Sequence, residues 1–216
     1  MIILIILIFI AQCICIENTY SINLYGIKVA SCKVEITDTI IYNKESIKLR
    51  YSVDSSNLMS YIFNVSNNYT TIIDKESYDI LYFSKKTVQP KLRKDLQTIN
   101  INNKIFYNDD NYIINNDEFN IFSFLYVLSN DRNHLEYTDI IEREGKRYKY
   151  KVQNIDNNKF ELFLDEINTK EQGLLKYTDI FSWALFLPNT KKIICLDKNH
   201  RIIKSCKFKK FSIFIC

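Results

Sequence analysis

The side chains in this chain that can move a proton, attack a carbon or hold a metal are few and scattered. Only two histidines occur, His134 and His200, each within a polar turn. Either has the chemistry of a general base. With no GxSxG elbow beside them and only three glycines in the chain, a solvated loop histidine is the simpler reading of both. The same scarcity of glycine excludes a phosphate-cradling loop. Acidic residues stand together at Asp109 and Asp110 and again at Asp117 and Glu118. A calcium loop needs such ligands at alternating positions around a glycine, so helix capping and solvation account for both pairs. The six cysteines form no CxxC and no Cys/His cluster, which disfavours zinc. No catalytic, cofactor-binding or metal-ligating residue emerges, and the expectation is a protein that is not an enzyme.

The cysteines bear instead on compartment. The opening MIILIILIFIAQCIC has an apolar run from Ile2 to Ile10 and smaller residues before Glu17. That pattern predicts an export signal over residues 1–15, too short to span a bilayer, which takes about 20 apolar residues. Its first residues carry no Lys or Arg. Lipidation at Cys13 is an alternative, with Gln12 where such sites want a small residue, and a buried N-terminal strand is another. Cleavage after Cys15 leaves Cys32, Cys195, Cys206 and Cys216 in an oxidising compartment. A hairpin about Asp197 to Arg201 puts Cys195 and Cys206 on one face. They then form a diagonal disulfide or remain small buried hydrophobes. Asn64 and Asn68 lie in glycosylation sequons, which matter only in a eukaryotic secretory host.

The 216 residues, 47% apolar and 25% charged, suit one globular domain over residues 16–216. A net charge of +4, dispersed along the chain, does not make the clustered basic face that nucleic acid requires. With three Gly and two Pro, turns must rest on Asn and Asp. Fifteen Tyr and fourteen Phe favour strands. Ile47, Leu49, Tyr51 and Val53 alternate with Lys48, Arg50 and Ser52, and Tyr148, Tyr150 and Val152 with Lys149 and Lys151. Further strands are predicted at Tyr20 to Leu24, Ala30 to Ile36, Tyr69 to Ile73, Ile80 to Thr87, Ile99 to Tyr107, Phe160 to Leu164, Trp183 to Leu187, Ile193 to Leu196 and Ile202 to Phe208. The tail FSIFIC is expected to pack or fray.

Asp117 to Asn130 stands apart as a helix, with Asn116 as N-cap, Asp117 and Glu118 in its first turn and almost no polar face beyond them. A helix apolar on all sides is buried on most of them, so a curved sheet must surround it. The expected fold is mainly β, an antiparallel meander of about ten strands curled into an open barrel around one inserted buried helix. A two-sheet β-sandwich is the alternative. If the helix is wholly buried, a charge at Leu125 should abolish folding, and a stable Leu125→Asp protein would mark a movable lid.

Four blocks together resemble a family. YSINLYGIKVASCKVEI runs through a Gly turn into a strand with small residues. LMSYIFNVSNNYTTIIDKESYDILYFSKK leads from a short apolar segment through an Asp-centred turn to basic residues. FNIFSFLYVLSN is the helix, and WALFLPNTKKIICLDKNHRIIKSCKF carries the closing hairpins. In order and patterning they resemble the bacterial envelope family domain of unknown function 3108. The chain departs from that pattern at Ile194 or Cys195, where Pro is usual. The resemblance implies a periplasmic or outer-membrane-facing domain with no settled activity and no functional residues to carry over.

The expectation is therefore an exported cell-envelope protein, periplasmic or associated with the outer membrane. It binds an apolar ligand, lipid or lipoprotein segment, or assists outer-membrane assembly. A structural or protein-interaction module docking partners at its edge strands is the alternative, and an envelope hydrolase acting on glycan or ester is a further one. Two carboxylates, or a Ser and a His, within reach in a pocket would favour the hydrolase. Arg201, Lys204, Lys207, Lys209 and Lys210 make one strand basic, either for peripheral contact with anionic lipid or as a solvated face.

Overall fold

Alternating residues turn successive side chains to opposite faces of an extended chain. The structure, a computed structural model describing residues 15–107, 113–167, 179–188, 190–197, 202–208 and 211–215, follows that alternation closely. The first meander holds β1 Cys15–Leu24, β2 Ile27–Ile41, β3 Lys44–Ser55, β4 Ser66–Asp74, β5 Ile80–Gln89, β6 Leu92–Ile101, β7 Lys104–Tyr107 and β8 Ile113–Ile114. The short helix α1 Asn57–Ser60 joins β3 to β4. The second meander holds β9 Ile140–Arg143, β10 Lys146–Asp156, β11 Lys159–Glu166, β12 Lys192–Leu196, β13 Ile203–Phe208 and β14 Phe211–Ile215. Between the two lie helix α2 Ile121–Asn130 and a 3₁₀ turn, Arg132–Glu136, and helix α3 Ile180–Leu185 precedes β12.

Among the described residues, one antiparallel sheet of fourteen strands results, in the order β8 to β1 followed by β14 to β9. The meeting of β1 with β14, Tyr20 opposite Ile215 and Leu24 opposite Phe211, joins the two meanders. Residues 211–215 of the tail thus pack as a paired strand, with Ile213 in the core, and do not fray. The free edges β8 and β9 approach each other through the chain between β8 and α2. Phe119 bridges to Ile141, and the Glu142 N–H donates to the Phe119 carbonyl at 2.6 Å. Arg147 adds a hydrogen bond to the Ile113 carbonyl at 3.0 Å. The sheet is in consequence a nearly closed barrel, and a sandwich is not formed. Covering the edge of β9 in this way removes a surface on which a partner strand could add.

Turn chemistry explains the spacing. Type I′ hairpin turns need positive φ at both central residues, and Asn102 and Asn103 supply it at +53° and +61°. That turn splits Ile99 to Tyr107, expected as one strand, between β6 and β7. Tyr42 with Asn43, Tyr25 with Gly26 and Glu144 with Gly145 do the same elsewhere, so glycine is rationed and non-glycine residues take left-handed backbone.

The helix lies inside. Phe122 packs on Tyr51 (ring centroids 4.7 Å) and Tyr69 (4.8 Å), and Phe124 on Tyr150 (5.0 Å), so α2 touches both halves of the wall. It begins four residues later than expected. Asn120, not Asn116, is the N-cap: its side chain accepts from the backbone N–H groups of Phe122 and Ser123, while Ser123 returns a bond to the Asn120 N–H. The Asn120 amide also donates to Thr71 Oγ1 at 2.9 Å, tying the cap to β4. Trp183 to Leu187, read as a strand, falls largely within α3. Asp179 caps that helix through the Ser182 N–H at 2.9 Å. A short apolar run does not distinguish a helix from a buried strand, and the cap decides.

Candidate functional site

Two features occupy the barrel interior, one apolar and one charged. The apolar one is a cavity of about 280 Å³ between one face of α2 and strands β1 to β3, β13 and β14. It follows from the helix being incompletely buried. Phe124, Val127 and Leu128 are fully enclosed, while Leu125 and Tyr126 are half-buried and line the cavity. Opposite them stand Val34, Ile36, Ile47 and Ile213, residues of β2, β3 and β14 whose side chains face the interior. The rim is polar, with Asn18, Ser129 and Asn130 and the ion pair Lys75 to Asp38 at 3.3 Å. An apolar wall with a few polar groups is the makeup of a small-molecule pocket, and the volume lies near the ~300 Å³ lower end of the usual range.

The charged feature lies towards the other end of the interior. Lys85 is 2% exposed, with its Nζ 2.6 Å from Glu144 and 2.6 Å from Asp179. The Tyr69 hydroxyl donates to Asp179 at 2.6 Å, and the Ser182 hydroxyl donates to it as well. The Arg143 guanidinium lies 4.6 Å from the Phe186 ring centroid and reaches Ser182. Beside this network Glu142 binds the Tyr107 hydroxyl at 2.8 Å and the Gly145 N–H at 2.6 Å. Two carboxylates and a serine thus do come within hydrogen-bond reach. The space beside them is only about 20 Å³, room for one water and no substrate. The network joins β5 to the β9–β10 turn and to α3, and so acts as a latch across the closing edges.

Burial sets the ionisation here. Burial would raise the Asp179 pKa, but Lys85 and the Ser182 bonds outweigh it and hold the carboxyl down to about 2. Burial likewise opposes the charge on Lys85, and Glu144 and Asp179 overcome it, raising its pKa. Glu142 has no cationic partner among the described residues, and burial pushes it from the ordinary 4.5 up to about 8, against the bonds from Gly145 and Tyr107. Because its folded value exceeds its unfolded one, Glu142 contributes stability that is full below about pH 4.5 and lost as pH rises through about 8. Glu142→Gln, which mimics the neutral acid, is expected to flatten the stability profile between these limits in urea unfolding series. An unchanged slope would show that Glu142 is ionised in the fold.

Other sequence-derived candidates disperse. His134 is not a solvated loop residue: it is half-buried in an aromatic cluster with Tyr78 (4.8 Å) and Tyr137 (5.1 Å). Glu118 neither caps α2 nor meets solvent. It is buried, paired with Arg147 and bonded by the Asn115 amide at 2.7 Å. Cys206 pairs with Ile194 and Cys195 with Ser205, so the two cysteines face opposite sides of the hairpin and no bond joins them. Cys32 and Cys206 both line the cavity as free thiols, which burial pushes up to about 12. Lys204 and Lys207 are exposed. Residues 1–14, including Cys13, and Asp109, Asp110, His200, Arg201, Lys209, Lys210 and Cys216 lie outside the described residues. The cavity and the latch were not visible as clusters in the sequence. The one available signal was parity, since Lys85 falls on the inward phase of β5 with Phe83 and Thr87.

No protein-family model, curated protein or solved structure matches this chain.

Proposed function

We propose that the chain is an exported cell-envelope protein that binds an apolar small molecule or lipid inside its barrel. One observation carries this reading: a cavity of about 280 Å³ with an apolar wall lies beside a helix that packing elsewhere would have sealed. An apolar recess of this size, open at its rim, leaves apolar wall in contact with water unless a passenger covers it. The apolar leader and the resemblance to domain of unknown function 3108 support the envelope location.

Leu125 gives the test. It is half-buried and faces the cavity, so Leu125→Trp fills the space without displacing the enclosed residues Phe124 and Val127. In titrations with the neutral fluorophore N-phenyl-1-naphthylamine, the native protein is expected to show one saturable site. The variant should bind roughly tenfold or more weakly, a change of ~1.4 kcal/mol or more, with its melting temperature retained. Equal binding by the two proteins would move the site elsewhere, and no binding by either would remove the proposal's support.

A further inference from the structure

Two phenol hydroxyls stand in the wall of the cavity without partners. Tyr20 is 7% exposed and Tyr51 8%, and both line the space. Among the described residues neither hydroxyl meets a hydrogen-bonding group. Other buried tyrosines are satisfied: Tyr69 by Asp179, Tyr107 by Glu142 and Tyr150 by the carbonyls of Leu135 and Thr138. The two hydroxyls are open to the cavity and not sealed in its wall, so whatever fills the space, water or a guest, supplies their partner. Register puts them on one wall: Tyr20 pairs with Cys32 and Tyr51 with Val34, two residues apart along β2.

The guest's charge is also constrained. Burial raises the pKa of both phenols and of the thiols Cys32 and Cys206, so the inner wall is neutral. The charges at the rim, Lys75 and Asp38, neutralise each other. An ionised group carried inward would lose its water and gain no counter-charge. A hydroxyl that donates needs an acceptor, and the uncharged acceptor most compatible with an apolar skeleton is a carbonyl oxygen.

We propose that the cavity takes an uncharged, largely apolar small molecule bearing a ketone or ester carbonyl, with Tyr20 and Tyr51 donating hydrogen bonds to that oxygen. This rests on the ligand-binding reading above and names its chemistry.

Three probes of one skeleton test it on the full chain by fluorescence titration: 6-propionyl-2-(dimethylamino)naphthalene, the carbonyl-free 2-(dimethylamino)naphthalene, and 6-(dimethylamino)naphthalene-2-carboxylate. The ketone is expected to bind most tightly. Tyr20→Phe combined with Tyr51→Phe should weaken the ketone by roughly tenfold and leave the carbonyl-free probe within about twofold. The bound ketone's emission should also shift to the blue as its carbonyl loses the donors. If the carbonyl-free probe or the carboxylate binds the native protein at least as tightly as the ketone, carbonyl recognition is overturned while ligand binding stands, a comparison that needs no variant. A double variant that binds the ketone unchanged overturns it equally. Failure of all three probes on the native protein overturns the ligand-binding reading and this inference with it.

Discussion

Lys85→Met is expected to destabilise the fold by about 3–5 kcal/mol, because it leaves charge in the interior without its partner. Glu144 and Asp179 are 4% and 0% exposed, and the Lys85 ammonium lies 2.6 Å from each, with Lys94 a more distant second cation at 4.0 Å from Glu144. Without Lys85, Asp179 loses the charge that holds its pKa near 2 and, at neutral pH, must be protonated or remain buried and unpaired. The network also holds the closing edges, since Glu144 belongs to the β9–β10 turn and Lys85 to β5. A triple variant, Lys85→Met with Glu144→Gln and Asp179→Asn, should recover much of the loss, as removing a whole buried ion network costs far less than breaking it. Chemical denaturation midpoints decide the matter. A single variant no less stable than Lys86→Met on the wet face of the same strand would show that the latch contributes no net stability.

Phe124→Ala is expected to cost about 3–5 kcal/mol, whereas Leu125→Ala next to it should cost no more than about 2 kcal/mol. Phe124 is fully buried and meets Tyr150 at 5.0 Å, so truncation opens a void bounded by packed rings. Leu125 already borders empty space, and its truncation enlarges a cavity that exists. The same placement changes what a charge at Leu125 means. A folded Leu125→Asp protein would follow from a half-buried side chain near a polar rim, and needs no moving lid. Equal losses at the two positions, measured by urea unfolding, would mean that the cavity collapses in solution.

The outer frame of this barrel was legible because period two is robust. Ile47 to Val53 and Tyr148 to Val152 read as strands and are strands, and the apolar density of Phe119 to Leu128 correctly demanded an enclosing sheet. The helix boundary was not legible, because Asn116 and Asn120 both precede suitable residues. Tertiary contacts choose between them: Phe119 bridges to β9 and Glu118 is held by Arg147, so the chain at Asn116 and Asp117 makes an isolated turn, closed by the Glu118 N–H on the Asn115 carbonyl, and does not run on into the helix. The Cys195 and Cys206 geometry depends on a register that slips by one residue at Leu196, beyond what spacing conveys. The latch was hidden for a similar reason. Lys85, Glu144 and Asp179 are 59 and 35 residues apart along the chain and meet only when the sheet closes. Absent tyrosine partners are equally unreadable, since Tyr20 and Tyr51 look in sequence like any inward aromatic.

Native mass spectrometry of the delipidated protein after incubation with a cell-envelope extract tests the central claim most directly. The barrel is expected to acquire a single small-molecule adduct that survives gentle desolvation, and Leu125→Trp, with its cavity filled, to acquire none. A native protein that carries nothing beyond buffer ions, or an adduct held equally by both proteins, would contradict the assignment of the cavity as a binding site.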